Sequence, residues 1–103
     1  MEQAYQVGAV GIVSGVAAAL PGLVTQVWDE LKYGNFDAAK TLVKVSQAFH
    51  RRSTIVAARM ILEEQGIRAG SCLLPLSGAT EEDRRHLINH LRELGIRVEK
   101  TVL

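Results

Sequence analysis

The sequence predicts a mainly α-helical domain, with one short strand-like run ahead of four helices. Three observations carry this reading. Four stretches repeat apolar residues at three- and four-residue spacing. Gly and Pro stand at the ends of those stretches rather than in their middles. Ala9 to Val13, near the N-terminus, is short, apolar and rich in β-branched residues, and it lacks the helical rhythm. A chain of 103 residues is one domain at most. Hydrophobic residues at 48% suffice for a modest core, and charged residues at 22% are too ordinary for a disordered chain.

Ala9 to Val13 does not alternate apolar with polar residues. That pattern fits a strand covered on both faces, as in a parallel sheet. The chain has no other convincing strand of that kind, the tail Arg97 to Leu103 being the nearest candidate. A lone buried strand has no meaning without neighbours, so the sequence reads as incomplete. Leu20 to Tyr33 is the first predicted helix. Leu20, Leu23, Val24, Val27 and Leu31 form one face, Pro21 sits in the tolerant first turn, and Gly34 ends it. Asn35 is the expected start of the second helix, Phe36 to about His50, with a stripe of Phe36, Ala39, Leu42, Val43 and Phe49. Asp37 and the pair Arg51–Arg52 complement its dipole at opposite ends.

Ser53 to Gln65 is the third helix, capped by Ser53 or Thr54 and stopped by Gly66. Its residues Ile55 to Ala58 and Met60 to Leu62 are apolar almost all round, which calls for burial on several sides. Residues 67–79 read as a loop. Leu73, Leu74 and Leu76 flank Pro75 within it and are expected to pack on the last two helices. The fourth helix runs from Thr80 to Leu94, with Asp83 as a capping-box partner of Thr80, a stripe of Leu87, Ile88, Leu91 and Leu94, and Gly95 as its stop.

Composition excludes several function classes. Twelve Lys and Arg against eleven Asp and Glu leave +1, no general grip on nucleic acid or acidic membrane. The lone Cys72 rules out an internal disulfide and a multi-cysteine metal site, and suits a reducing cytoplasm. Met1-Glu2-Gln3 places no Lys or Arg ahead of an apolar run, unlike a secretory leader. Val7 to Val24 carries no charge over eighteen residues and contains a GxxxG spacing. Its glycines, alanines and Pro21 nevertheless argue against a membrane span.

No single motif names an activity. His86 and His90, with Glu82 a turn earlier, have a spacing that can hold a metal, but no HExxH accompanies them; a solvated helix face is the simpler reading. His50-Arg51-Arg52 reads as dipole compensation before it reads as an anion site. Cys72 lies among apolar residues and reads as filler rather than nucleophile. Gly8, Gly11 and Gly15 have the wrong spacing for a dinucleotide loop and suit close packing at a strand end.

A combination of segments is more specific. Gly8-Ala-Val-Gly-Ile-Val-Ser-Gly-Val16 is followed by Leu20-Pro21, then Tyr33-Gly-Asn-Phe-Asp-Ala-Ala39, then Leu73-Leu-Pro-Leu-Ser77, then Leu91-Arg-Glu-Leu-Gly-Ile96. In this order and spacing, over residues 1 to about 96, the chain resembles the C-terminal third of the dihydrodipicolinate synthase and N-acetylneuraminate lyase family. The resemblance implies a (β/α)₈ barrel whose eighth strand is Ala9 to Val13 and whose eighth helix is Leu20 to Tyr33. Residues 1–33 would be that barrel remnant, and residues 34–103 an appended helical subdomain.

The family's members are class I aldolase-type lyases that hold pyruvate or another 2-oxo acid as a Schiff base on a lysine of the sixth strand. A proton-relay tyrosine and a carboxylate-binding threonine lie earlier still. All three precede the segment seen here, and Lys32, Lys40, Lys44 and Lys100 match none of them. The resemblance assigns one site residue, Val13, whose backbone carbonyl would contribute to the floor of the substrate site. Many members carry an asparagine a few residues on, where this chain has Ala18. The expectation is a lyase fragment, inactive alone, needing no cofactor or metal, with a second copy or the missing barrel portion as partner. Without the barrel, the helix face of Leu20, Leu23, Val24, Val27, Trp28 and Leu31 would be bare, and the simplest cover is a second copy paired through the same face, the N-terminal segment then being helical or disordered instead of a strand. A 2-oxo acid would bind only after complementation, and neither nucleic acid nor membrane is expected. The alternative is a non-enzymatic helical oligomerisation module.

Overall fold

The computed structural model describes residues 1–50, 53–70 and 80–98. Every regular element among them is a helix: α1 (Glu2–Gln6), α2 (Gly15–Ala19), α3 (Pro21–Lys32), α4 (Asp37–His50), α5 (Thr54–Glu64) and α6 (Glu81–Glu93). The four predicted helices are α3 to α6, with ends within a residue or so of the expected ones. The leucines of the 67–79 loop, with Cys72, Arg51, Arg52 and Lys100, lie outside the described residues.

Local chemistry sets the boundaries. A proline disfavours the α conformation in the residue before it. Leu20, ahead of Pro21, has φ −128° and ψ 60°, and this break separates α2 from α3. Gly66 adopts φ +86° directly after the α5 cap, a conformation that costs glycine little. The capping box of α6 is complete. The Asp83 N–H donates to Thr80 Oγ1 at 3.1 Å, and the Thr80 N–H donates to Asp83 Oδ2 at 3.0 Å. Asn35 departs from expectation. Its amide donates to Glu30 Oε2 at 2.7 Å, tying the α3–α4 turn back to α3.

The core lies where the helices cross. α5 packs on α2, α4 and α6, which explains its nearly all-round apolar surface. Val56, Ala57, Ala58, Met60 and Ile61 are its buried residues. α4 contributes Ala39, Leu42, Val45, Ala48 and Phe49, and α6 contributes Leu87, Ile88 and Leu91. Val43 was expected in the α4 stripe but faces solvent, since the buried arc turns through Val45 and Ala48 instead. Polar contacts reinforce the packing. Gln65 Nε2 donates to the Ala19 carbonyl at 3.2 Å, joining α2 to the end of α5. The Arg84 guanidinium lies 3.0 Å from Glu64 and 3.6 Å from Glu63, bridging α6 to α5. Arg59 donates to the carbonyls of Ala69 and Gly70, holding the chain that leaves α5.

Two expectations are corrected. Ala9 to Val13 forms no strand, because a β ladder needs a partner and the described residues supply none. The apolar face of α3 is also not bare. Leu20, Val24, Val27 and Leu31 are buried against α2 and α4, and Trp28 makes a T-shaped contact with Tyr5 of α1, with ring centroids 5.4 Å apart at 89°. The uncharged run from Val7 to Val24 is thus divided among a turn and an irregular segment, α2 and the start of α3. Among the described residues no helix is long and apolar enough to cross a membrane.

Gly15 shows how closely α2 approaches α5. A methyl group at Gly15 would fall on Thr54 Cγ2. Alanine would otherwise favour a helix by up to about 1 kcal/mol over glycine. Gly15→Ala is therefore expected to gain little or lose stability in the native chain, and to stabilise it once Thr54→Ser removes the methyl. A thermal-melt double-mutant cycle should show coupling of about 0.5–3 kcal/mol. Additive effects would mean the two helices stand further apart.

Candidate functional site

The irregular segment leading into α2 holds Val13, the residue singled out for the substrate site. Ser14 follows it in an extended conformation (φ −139°, ψ 129°), and its Oγ accepts from the Ala17 N–H at 3.4 Å. That cap fixes where the segment enters the bundle, and the Gly15–Thr54 approach sets it beside the start of α5. Val13 is fully exposed, and its carbonyl accepts no hydrogen bond among the described residues. An exposed, uncommitted carbonyl can accept a hydrogen bond from a ligand hydroxyl or ammonium. It can supply neither nucleophile nor proton. Ala18 is a solvent-exposed methyl on α2.

The described lysines are not arranged for covalent chemistry. A nucleophilic lysine needs a desolvated or cationic setting that favours its neutral amine. Lys32 instead sits 3.8 Å from Asp29 and Lys40 3.1 Å from Asp37, both pairs in solvent. Lys44 is exposed on α4. Neither paired amine is desolvated, so neither has the setting that Schiff-base chemistry requires.

The histidines lie at a separate place. A groove of about 370 Å³ runs between α4, α5 and α6, floored by Phe49, Ala57, Met60 and Leu87, with Asp83, His86 and His90 on its α6 side. His86 pairs with Glu82 at 3.7 Å and His90 with Glu93 at 3.9 Å, both on the exposed helix surface. The two rings thus lean toward opposite ends of α6. Among the described residues no three His, Cys, Asp or Glu side chains gather as metal ligands would. His50 is also exposed, its Nδ1 3.0 Å from the Ser46 carbonyl.

These observations describe a helical bundle with an exposed, irregular entry and no assembled catalytic cluster among the described residues. The model of the dihydrodipicolinate synthetase family matches residues 1–94, and the chain belongs to that family. An uncharacterized DapA-like lyase of Halobacterium salinarum (strain ATCC 29341 / DSM 671 / R1) is 31% identical over 94 residues, covering 87% of this chain and 31% of the relative. An uncharacterized DapA-like lyase from strain ATCC 700922 / JCM 11081 / NRC-1 gives the same identity and coverage. The chain thus spans about a third of the length of the curated relatives it matches.

Proposed function

We propose that this chain is the C-terminal portion of a 2-oxo acid lyase of the dihydrodipicolinate synthetase family, and that it does not form the Schiff base by itself. Within the complete fold, Ala9 to Val13 would be the last barrel strand, α3 the last barrel helix, and α4 to α6 the appended subdomain. The Val13 carbonyl would then lie at the C-terminal end of a barrel strand, where sites of such barrels are built. The observation that carries this reading is the family match over residues 1–94 in a chain whose described lysines all stand in water. The free Val13 carbonyl supports a positioning role for it. The relatives, named as lyases, support the reaction class.

Incubation with pyruvate and borohydride, followed by mass spectrometry, tests the proposal. The expected result is no adduct on the chain, while a full-length family member run in parallel is labelled. A stoichiometric adduct on Lys32, Lys40, Lys44 or Lys100 would overturn it. A second reading, a non-enzymatic helical module, is favoured by one observation: the core of α2 to α6 closes within this chain alone. A fold that is stable but restores no activity when combined with the rest of a family barrel supports that second reading.

A further inference from the structure

The Val13 carbonyl carbon is bonded to the Ser14 nitrogen, so its direction relative to α2 follows from the Ser14 φ of −139°. Ser14 Oγ accepts from the Ala17 N–H at 3.4 Å, which ties that peptide to the first turn of α2. The carbonyl therefore turns with α2. α2 is not a continuation of α3, because the break at Leu20 separates them. It packs chiefly on α5, and α5 holds it at both ends. At its first residue, Gly15 approaches Thr54 so closely that a Cβ on Gly15 would fall on Thr54 Cγ2. At its last, the Ala19 carbonyl accepts from Gln65 Nε2 at 3.2 Å. Thr54 is the first residue of α5 and Gln65 its C-cap, so the contacts join start to start and end to end. Val16 and Ala19 are buried between these points.

We propose that α5 positions the Val13 carbonyl through α2, with Thr54 and Gln65 as the positioning residues. The inference rests on the reading of that carbonyl as part of a substrate-site floor, and deepens it. In that reading α2 follows the last barrel strand and α5 belongs to the appended subdomain. The subdomain then shapes the site without lending it a side chain. Two points of attachment are needed for this. A short helix held at one end swings about that end, and a second contact removes the swing. Direction matters because a carbonyl accepts best from a donor near its plane and lone pairs. A recognition group works when held within about 10–20° of its productive geometry. Thr54 supplies a steric stop and Gln65 a hydrogen bond, so the two residues fix α2 by different means.

Magnetic resonance of the chain labelled with carbonyl-13C valine and 15N serine tests the proposal. Only two peptide bonds join Val to Ser, Val13–Ser14 and Val45–Ser46, so the spectrum reports the carbonyl in question and one control. Val45 is fully buried on α4, away from the proposed device. Gln65→Met removes the donor at similar length, and Thr54→Ser removes the methyl. Each should shift the Val13–Ser14 signal. Each should also speed amide exchange at Ala17 and Leu20 by about 2- to 10-fold, the net worth of one hydrogen bond. The Val45–Ser46 signal and the amides of α4 and α6 should stay as they are. Thr54→Val, which keeps a methyl facing Gly15, should leave the Val13–Ser14 signal at its native position. A Val13–Ser14 signal unmoved by both Gln65→Met and Thr54→Ser overturns the proposal, because the carbonyl would not take its direction from α5. Equal changes at Val45–Ser46 and throughout α4 and α6 also overturn it, because the two residues would then serve general stability alone. The borohydride experiment tests the lyase reading by a different signal, so either can fail without the other.

Discussion

Phe49→Ala is expected to cost about 3–5 kcal/mol of folding stability. Phe49 is 0% exposed and is among the largest fully buried side chains. It stands on α4 where that helix meets α5 and α6, beside Ala48, Ala57, Met60 and Leu87. Those same residues floor the groove between the three helices. Removing the ring therefore does more than leave a cavity, because it joins the core to an existing opening and exposes apolar walls. A domain of this size has about 5–15 kcal/mol in total, so the loss is a large share. Urea denaturation followed by helical circular dichroism should show a lowered midpoint with little change in slope. Val43→Ala on the exposed side of the same helix should stay within about 0.5 kcal/mol. A similar small effect for Phe49→Ala would show that α4 is not the element closing the core.

The helices that could be read from sequence are those long enough to repeat. α3, α4, α5 and α6 each span three or more turns, so their stripes recur and glycine or proline marks their limits. α1 and α2 have five residues each, too few for a stripe. α2 had a different signal: Ser14 ahead of Val16-Ala17-Ala18-Ala19 is an N-cap before strong helix formers. That signal was masked by the glycines and the β-branched run before it. The strand reading of Ala9 to Val13 identified the right side chains and the wrong outcome. Residue type supplies β-propensity, but the ladder must come from a neighbour, and this chain closes its core without one.

The candidate site was less legible, for physical reasons. The role proposed for Val13 is that of a backbone carbonyl, and a carbonyl carries no side-chain signature. Its assignment came from the alignment of Val13-Ser14 with a family pattern, and the structure adds that the carbonyl is free. The histidines illustrate the reverse case. Spacing of four residues puts His86 and His90 near one face of α6, yet spacing alone does not make the rings converge. Each has a carboxylate partner on its own helix instead. The Gln65–Ala19 and Arg59–Ala69 contacts join elements far apart or irregular, and no periodic pattern encodes them.

Val27→Glu is expected to unfold the chain or leave it loosely packed near neutral pH, whereas Gln26→Glu next to it should be nearly silent. Val27 is 3% exposed, and the buried set among the described residues contains no polar or charged residue. A carboxylate placed there has Val24 and Leu31 as neighbours on α3 and no described donor to pair with. Burying an unpaired charge costs several kcal/mol, and the group escapes the penalty by staying protonated. The folded-state pKa of the new carboxyl would therefore lie above its unfolded value of about 4.3. Here the raised value reflects a charged form disfavoured in the folded state. The unfolded state ionises first, so the penalty is absent below about pH 4 and grows as pH rises toward the folded-state pKa. Thermal melts of the variant should recover part of the helical signal between about pH 7 and pH 4. Gln26 is exposed, so Gln26→Glu should stay within about 0.5 kcal/mol and show no such recovery. Equal stability of the two variants at pH 7 would mean that the inner face of α3 is open to water, and that the surface first expected to drive self-association is bare after all.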